Sequence, residues 1–205
     1  MLFDMKPVRA SLELERHFWA QGFQRIAGVD EAGRGCLAGP VVAAAVILDA
    51  STNLDGIEDS KTLPKHRREE LAERIRKDAR AWAIGLCSPS EVDELNILWA
   101  SMEAMLRALQ ALEIEPDHVL IDGNTTIPDC PWPAKPVIKG DARSLSIAAA
   151  SILAKTHRDA IMHTHHATWP AYGWNTNVGY PTAAHYEALR AHGPTPLHRQ
   201  SFRLS

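Results

Sequence analysis

Four acidic residues stand at or just after the ends of short apolar stretches, where several carboxylates could perform chemistry together: Asp30, Glu31, Asp122 and Asp141. Open α/β sheets bind ligands in the crevice beyond the ends of their strands. The four acids therefore form one acidic pocket if their strands are neighbours. The spacing alone leaves open the alternative that they lie apart.

Carboxylates that share a pocket repel one another, so they either raise their pKa values or bind a cation. A set of oxygen ligands alone favours a hard cation such as Mg²⁺ or Mn²⁺. Two such ions, about 3.5–4 Å apart, activate a water and stabilise the leaving oxygen when a phosphodiester is hydrolysed. The acids therefore indicate metal-dependent phosphodiester hydrolysis, with a hydrolase of small phosphate esters as an alternative.

The adjacent pair Asp30 and Glu31 poses a geometric difficulty, because successive residues of a regular strand point to opposite faces. Both face one pocket only if a bulge, a strand end or a backbone ligand intervenes. The glycine-rich turn 33–39 follows them, but it lacks the GxGxxG spacing and leads into an apolar strand, which excludes a dinucleotide loop. Such a turn is either an ordinary tight turn or a surface that brings backbone groups and Arg34 to a sugar hydroxyl and a phosphate.

Basic residues cluster between positions 61 and 77, although the chain of 205 residues has a formal net charge of -3. This cluster is either a nucleic-acid contact or the solvated face of a helix, and charge alone does not decide between them.

Histidine and aromatic residues are concentrated towards the C-terminus. On a helix, residues i and i+2 lie on different faces, which argues against a shared transition-metal site for His163, His165 and His166. Aromatic rings lie among Gly and Asn residues, where they either stack on a base or sugar or pack in the core: Tyr172, Trp174 and Tyr180.

The elements that must position these residues alternate between strands and helices. Apolar stretches predict strands at 25–29, 40–48, 81–87, 118–121 and 136–139. Capping residues and helical periodicity predict helices at about 11–21, after Pro64, and at 93–112, 144–164 and 182–191. An opening hairpin followed by alternating strands and helices predicts an α/β domain with a mixed sheet.

The composition, 45% apolar and 23% charged, is typical of one globular domain with a full core. No stretch approaches the about 18–20 apolar residues of a membrane span, and the N-terminus does not resemble a signal peptide. The three cysteines lack a CxxC spacing, which fits a reduced compartment. We therefore expect a cytoplasmic protein without membrane contact, and a monomer by default.

Six ordered blocks together resemble the bacterial ribonuclease HII family over about residues 26–202: GVDEAGRGCLAGPVVAAAVIL, DSKTL, LIDGN, KGDARSLSIAAASILAKTHRD, GYPTAAH and HGPTPLHRQSF. The resemblance implies a ribonuclease H-like fold, a mixed five-stranded sheet flanked by helices. It also implies one catalytic domain over 1–205, with an N-terminal helical segment at about 1–24. A helical C-terminal extension at about 169–205 would form part of the substrate groove.

The same resemblance implies an endoribonuclease that cuts the RNA strand of RNA–DNA hybrids. It would also nick duplex DNA on the 5′ side of a single embedded ribonucleotide, leaving a 3′-hydroxyl and a 5′-phosphate. The acids that bind two divalent ions, Mn²⁺ or Mg²⁺, in such enzymes correspond to Asp30, Glu31, Asp122 and Asp141. Of these, Asp30 would lie nearest both ions.

Further residue roles follow from the resemblance. The residues that read the ribose 2′-hydroxyl correspond to Gly33, Arg34 and Gly35. Tyr180 would stack on the following deoxyribose, and Lys61 of the DSKTL block would approach the nucleic-acid backbone. Asp159 matches a recurrent acid with a structural or supporting role, whereas His157 departs from the family pattern.

Two related interpretations differ from this one. Ribonuclease HIII carries an additional substrate-binding domain before its catalytic domain, whereas only about 25 residues precede the first predicted strand here. The second interpretation is a nucleic-acid-binding relative that has lost catalysis. All four acids that catalysis would need are present, which argues against it. Both observations favour an active ribonuclease HII.

Overall fold

The computed structural model of the protein describes residues 10–54, 56–57 and 63–205. Its five-stranded sheet contains β1 (Ile26–Ala32), β2 (Val41–Ile47), β3 (Ala81–Cys87), β4 (His118–Asp122) and β5 (Ala134–Val137). The strand order is β3-β2-β1-β4-β5. The neighbours β1, β2 and β3 pair antiparallel, whereas β4 pairs parallel with both β1 and β5. The predicted mixed sheet is therefore confirmed.

The helices are α1 (Glu13–Trp19), α2 (Lys65–Asp78), α3 (Pro89–Leu95), α4 (Ile97–Gln110), α5 (Leu145–Thr168), α6 (Trp174–Asn177) and α7 (Ala183–His192). α2 and α5 pack on one face of the sheet, and α4 packs on the other. The C-terminal extension, residues 169–205, contains α6 and α7, so its predicted helical character is confirmed. Among the described helices, none has the length and apolar character needed to cross a membrane.

The central strand β2 is apolar throughout because helices cover both of its faces. Alternate residues of a strand point to opposite sides. One set packs with α4, namely Val41, Ala43, Ala45 and Ile47, whereas Ala44 and Val46 pack with α2 and α5. On the neighbouring strand, a Cβ added at Gly28 would overlap the backbone of Ser146 and Ile147. The first turn of α5 therefore lies directly on β1, a short distance along the strand from Asp30 and Glu31.

The predicted helix over 93–112 is wrong in one respect, because the structure divides this region into α3 and α4. Asn96 ends α3 with φ 65° and ψ 163°. Its side-chain oxygen accepts hydrogen bonds from the amides of Leu98 at 3.0 Å and Trp99 at 3.3 Å, which caps α4. The apolar periodicity continues across this break, so periodicity alone did not reveal it.

Candidate active site

Three of the four predicted acids line one cavity of about 200 Å³ at the end of β1. Asp30 and Glu31 belong to β1, and Asp122 is the last residue of β4. The end of β1, the turn after it, helix α5 and the C-terminal extension supply the other lining residues: Ala32, Gly33, Arg34, Gly35, Ser151, Lys155 and Tyr180. The cavity thus joins acidic residues to the glycine turn and to an aromatic ring.

The structure resolves the difficulty posed by the adjacent acids Asp30 and Glu31. Pairing of β1 with β2 continues in register to Ala32, so no bulge separates the two acids. Pairing of β1 with β4, in contrast, ends at Val29 and Ile121. Both acids therefore lie beyond the end of the β1–β4 ladder, where the side chains of both border the cavity.

Burial and neighbouring carboxylates raise the pKa values of two of these acids. Burial raises the pKa of Asp30 well above its usual range, and the carboxylates of Glu31 and Asp122 raise it further. Burial also raises the pKa of Glu31, although Arg34 opposes this shift with a guanidinium nitrogen 3.1 Å from Oε1. The cavity concentrates negative charge in a buried place, which a bound cation would stabilise.

Asp141 lies beside Asp122, but its carboxylate is not part of the cavity lining. Lys139 follows β5 with φ 54° and leads into a short 3-10 helix, Gly140–Ala142. Asp122 Oδ1 accepts hydrogen bonds from the amides of Gly140 at 2.7 Å and Asp141 at 3.4 Å. Within the described ranges, no three His, Cys, Asp or Glu side chains are already arranged to hold a metal ion.

Two buried arginines hold the glycine turn, and neither was predicted from the sequence. Arg158 on α5 donates hydrogen bonds of 2.9–3.0 Å to the carbonyls of Ala38, Pro40 and Val178. Arg199 donates hydrogen bonds of 2.9–3.1 Å to the carbonyls of Arg34 and Gly39. The guanidinium forks therefore fix the backbone of the turn from the interior.

The two glycines that were predicted to read a hydroxyl differ in their surroundings. Gly33 has φ +100°, and an added Cβ there would overlap the Arg158 side chain. Gly35 lacks a left-handed φ, and an added Cβ would meet no atom within 4 Å. The fold therefore requires glycine at position 33, whereas at position 35 the missing side chain keeps the cavity open.

The ring of Tyr180 is 40% exposed at the cavity wall. Lys155 on α5 places Nζ 5.3 Å from the centre of this ring and 2.8 Å from Asp159 Oδ1. Arg68 on α2 lies 3.3 Å from the other oxygen of Asp159. Asp159 thus orients two basic side chains without lining the cavity, and Lys155 is a cavity residue that sequence reasoning missed.

Two of the remaining predicted residues fall outside the cavity. Tyr172 and Trp174 are 4% and 0% exposed, so they pack in the core of the C-terminal extension. Lys61 lies outside the described residues, whereas the described part of the basic cluster belongs to α2.

Comparisons with known proteins identify the family of this chain. The sequence model of the family described as Ribonuclease HII matches residues 27–205. The chain belongs to the ribonuclease HII family. The Ribonuclease HII of Salinibacter ruber is 55% identical over 196 residues, which cover 94% of this chain and 98% of that protein.

Solved structures agree with a ribonuclease H-like fold. The ribonuclease H2 from Pyrococcus horikoshii OT3 is similar with a TM-score of 0.72 and 27% identity, over 88% of this chain and 94% of that chain. Bst-RNase HIII in complex with Mn²⁺ has a TM-score of 0.66 and 20% identity, over 88% of this chain and 68% of that chain, and this likeness concerns the fold alone. As a ribonuclease HII, the protein is a metal-dependent endonuclease that cleaves the RNA strand of RNA–DNA hybrids. The family match favours ribonuclease HII over the ribonuclease HIII alternative.

Proposed function

We propose that this ribonuclease HII also nicks duplex DNA on the 5′ side of a single embedded ribonucleotide, leaving a 3′-hydroxyl and a 5′-phosphate. This proposal rests on one observation: the acids, the glycine turn and the exposed ring of Tyr180 all border the same cavity. Acids alone suffice for phosphodiester hydrolysis, but they do not distinguish ribose from deoxyribose. The adjoining turn provides a surface that can approach a 2′-hydroxyl closely.

The proposed catalytic and metal-binding residues are Asp30, Glu31, Asp122 and Asp141. Their donor set consists of oxygen atoms, which fits two Mg²⁺ or Mn²⁺ ions. The raised pKa values of Asp30 and Glu31 support this fit, because they reflect carboxylates that are buried and lie close to other carboxylates. Bound ions would supply positive charge at the scissile phosphate and activate the attacking water.

The proposed substrate-binding residues are Gly33, Arg34, Gly35 and Tyr180, together with Lys61. The open space at Gly35 admits a sugar edge, and the side chain of Arg34 is half exposed beside Glu31, within reach of a phosphate. The exposed ring of Tyr180 offers a stacking surface for the next deoxyribose. Lys61 would contact the nucleic-acid backbone.

The test is incubation of a duplex that contains one ribonucleotide, with Mn²⁺ or Mg²⁺, beside an all-DNA duplex. We expect one nick 5′ of the ribonucleotide, none in the control duplex and none with EDTA. Asp30→Asn should lower turnover by at least about 100-fold while binding persists, because loss even of a group behind a metal ligand costs about 10- to 100-fold.

The exposed carboxylate Asp129 lies outside the cavity, so Asp129→Asn is the matched control and should cleave normally. Full cleavage by Asp30→Asn would contradict the assignment of the metal site. Failure of the wild type to nick with either metal, together with cleavage of long hybrids, would contradict the proposed action on single ribonucleotides. Hydrolysis of a nitrophenyl phosphate ester without cleavage of either nucleic acid would favour the phosphatase alternative.

A further inference from the structure

Two histidines form a buried pair in the C-terminal extension, behind the wall of the cavity. His185 on α7 is 0% exposed and His198 is 2% exposed. Their Nε2 atoms lie 3.0 Å apart, and the rings of Tyr172 and Trp174 pack around them. Neither imidazole belongs to the acidic cavity.

The direction of the hydrogen bond between the two rings is fixed, because each ring also faces an N–H group that can only donate. The amide of Thr195 donates to His198 Nδ1 at 2.9 Å, so His198 carries its proton on Nε2. The indole of Trp174 donates to His185 Nε2 at 3.3 Å, so this nitrogen is an acceptor as well. His198 Nε2–H therefore donates to His185 Nε2, and His185 is left with its proton on Nδ1.

A positive charge on either ring would break this arrangement, because an added N–H would point at another donor. The physical environment agrees with two neutral rings. Burial lowers the pKa of His198 to about 4, helped by the neighbouring His185, and burial also lowers the pKa of His185. Both imidazoles are therefore neutral, in fixed and opposite tautomers.

The chain of hydrogen bonds ends at Tyr180. His185 Nδ1 lies 2.9 Å from the carbonyl oxygen of Tyr180 and donates to it. The backbone before Tyr180 is unusual, because Val178 has φ 42° and Gly179 has φ 89°. A β-branched residue in the left-handed region is strained, so surrounding contacts must hold this segment in place. His185 supplies one such contact directly at the cavity residue.

We infer that His185 and His198 are positioning residues that hold Tyr180, through this directed chain of hydrogen bonds, at the angle where its ring meets the nucleic acid. His198 fixes the tautomer and orientation of His185, and His185 fixes the carbonyl of Tyr180. This inference rests on the stacking role proposed for Tyr180. His185 and His198 would then affect substrate binding without touching the substrate, because they lie behind Tyr180.

The test is a double-mutant cycle read as KM and kcat on the duplex with one ribonucleotide. Loss of a stacked ring costs about 5- to 100-fold, so Tyr180→Ala should raise KM by that factor and His185→Leu by about 3- to 10-fold, with kcat nearly unchanged. In the Tyr180→Ala background, His185→Leu should have no further effect. His185→Asn should restore the wild-type KM within about twofold, because its amide nitrogen takes the position of Nδ1.

Equal increases in KM with and without Tyr180 would overturn the inference, since His185 would then act only on the stability of the fold. An unchanged KM for Tyr180→Ala would also overturn it, together with the stacking role of that ring. Nicking by the wild type reports separately on the proposed function.

A second measurement does not depend on activity or on a folded Leu variant. Two-bond ¹H–¹⁵N spectra of the wild-type imidazoles should show the proton on Nδ1 for His185 and on Nε2 for His198. The reverse tautomers would overturn the inference. If His185→Leu does not fold, His198→Asn replaces it in the cycle. The Asn side chain still accepts from the Thr195 amide, but it is too short to donate to His185. An increase in KM that persists in the Tyr180→Ala background would again overturn the inference.

Discussion

At the scale of single residues, Gly33 and Gly35 are two positions apart in one turn but are glycine for different physical reasons. The left-handed φ of Gly33 and the Arg158 side chain beside it leave no room for a Cβ. The Cα of Gly35 faces open space at the cavity, so a side chain added at this position would contact only a bound substrate. Sequence alone gives both positions the same appearance.

This difference predicts opposite outcomes for two alanine variants. Gly33→Ala should lower the free energy of unfolding by at least about 2 kcal/mol, because it combines backbone strain with displacement of a buried guanidinium. Gly35→Ala should change the free energy of unfolding by less than about 0.5 kcal/mol. It should nevertheless reduce kcat/KM on the ribonucleotide duplex by about 10- to 100-fold, since small misplacements at a reacting centre are costly.

Urea unfolding and steady-state nicking measure the two effects for each variant. Because each glycine acts as the control for the other, the comparison does not depend on a remote mutation. Wild-type kcat/KM in Gly35→Ala would show that this position does not approach the substrate.

At the scale of elements, α1 and α5 are joined by a buried carboxylate. Glu15 on α1 is 1% exposed. Its Oε1 accepts hydrogen bonds from the hydroxyls of Ser144 and Ser146, both at 2.6 Å, and from the amide of Ser146 at 3.0 Å. The first turn of α5 contains no acidic residue of its own, so Glu15 supplies the negative charge that a helix N-terminus favours. This contact fixes α5 where it presses on β1.

Glu15→Ala should therefore lower the free energy of unfolding by about 3 kcal/mol, which combines lost charge-assisted hydrogen bonds with unpaired hydroxyls. For a chain of this length, the melting temperature should fall by about 6–12 °C. Glu15→Gln retains an acceptor oxygen but loses the charge, so its effect should be smaller. Melting followed by circular dichroism measures both changes.

The exposed Glu13 on the same helix provides the control, and Glu13→Ala should leave the melting temperature within about 2 °C of the wild type. Equal losses for Glu13→Ala and Glu15→Ala would mean that helix propensity, and not the contact with α5, dominates.

At the scale of the whole molecule, buried neutral histidines make the fold sensitive to acid. His118 is 7% exposed and stacks on Phe18 at 3.9 Å between ring centres, with no hydrogen-bond partner for either ring nitrogen among the described residues. Burial lowers its pKa, as it does for His185 and His198. In the unfolded chain these rings take up protons near pH 6.5, whereas in the folded chain they resist protonation.

The sign follows from linkage. A group whose pKa is lowered by folding stabilises the fold fully above its unfolded pKa, and this contribution is lost as the pH falls towards the folded value. We expect the free energy of unfolding to fall below about pH 6.5, by up to about 1.4 kcal/mol per pH unit for each such histidine. His118→Leu should make this decline shallower.

Urea midpoints at pH 7.5, 6.0 and 5.0 measure the slope for the wild type and for His118→Leu. The matched control is His66→Leu, which changes an exposed imidazole on α2 and should keep the wild-type slope. Identical slopes for all three proteins would exclude His118 as a source of the acid sensitivity.

The sequence by itself determined the sheet, the flanking helices and the family. In a strand every second residue faces the core, and in a helix every third or fourth residue does. These periods can be read from the sequence without any knowledge of tertiary contacts. The sequence offered the convergence of Asp30, Glu31 and Asp122 as one of two alternatives, because each follows a short apolar stretch, and the pairing of β1 with β4 decided for it. The break at Asn96 escaped the same reasoning, since it interrupts the backbone without interrupting the apolar pattern.

Only the tertiary structure decided how the cavity is held together. Arg158 donates to Ala38 across 120 positions of sequence, and Arg199 to Gly39 across 160. A charged residue in a polar stretch is ordinarily exposed, so neither arginine carries a local signal of burial. The same holds for Lys155 at the cavity and for the neutral pair His185 and His198. Their roles arise from the partners that folding brings beside them, and no periodicity or spacing encodes those partners locally.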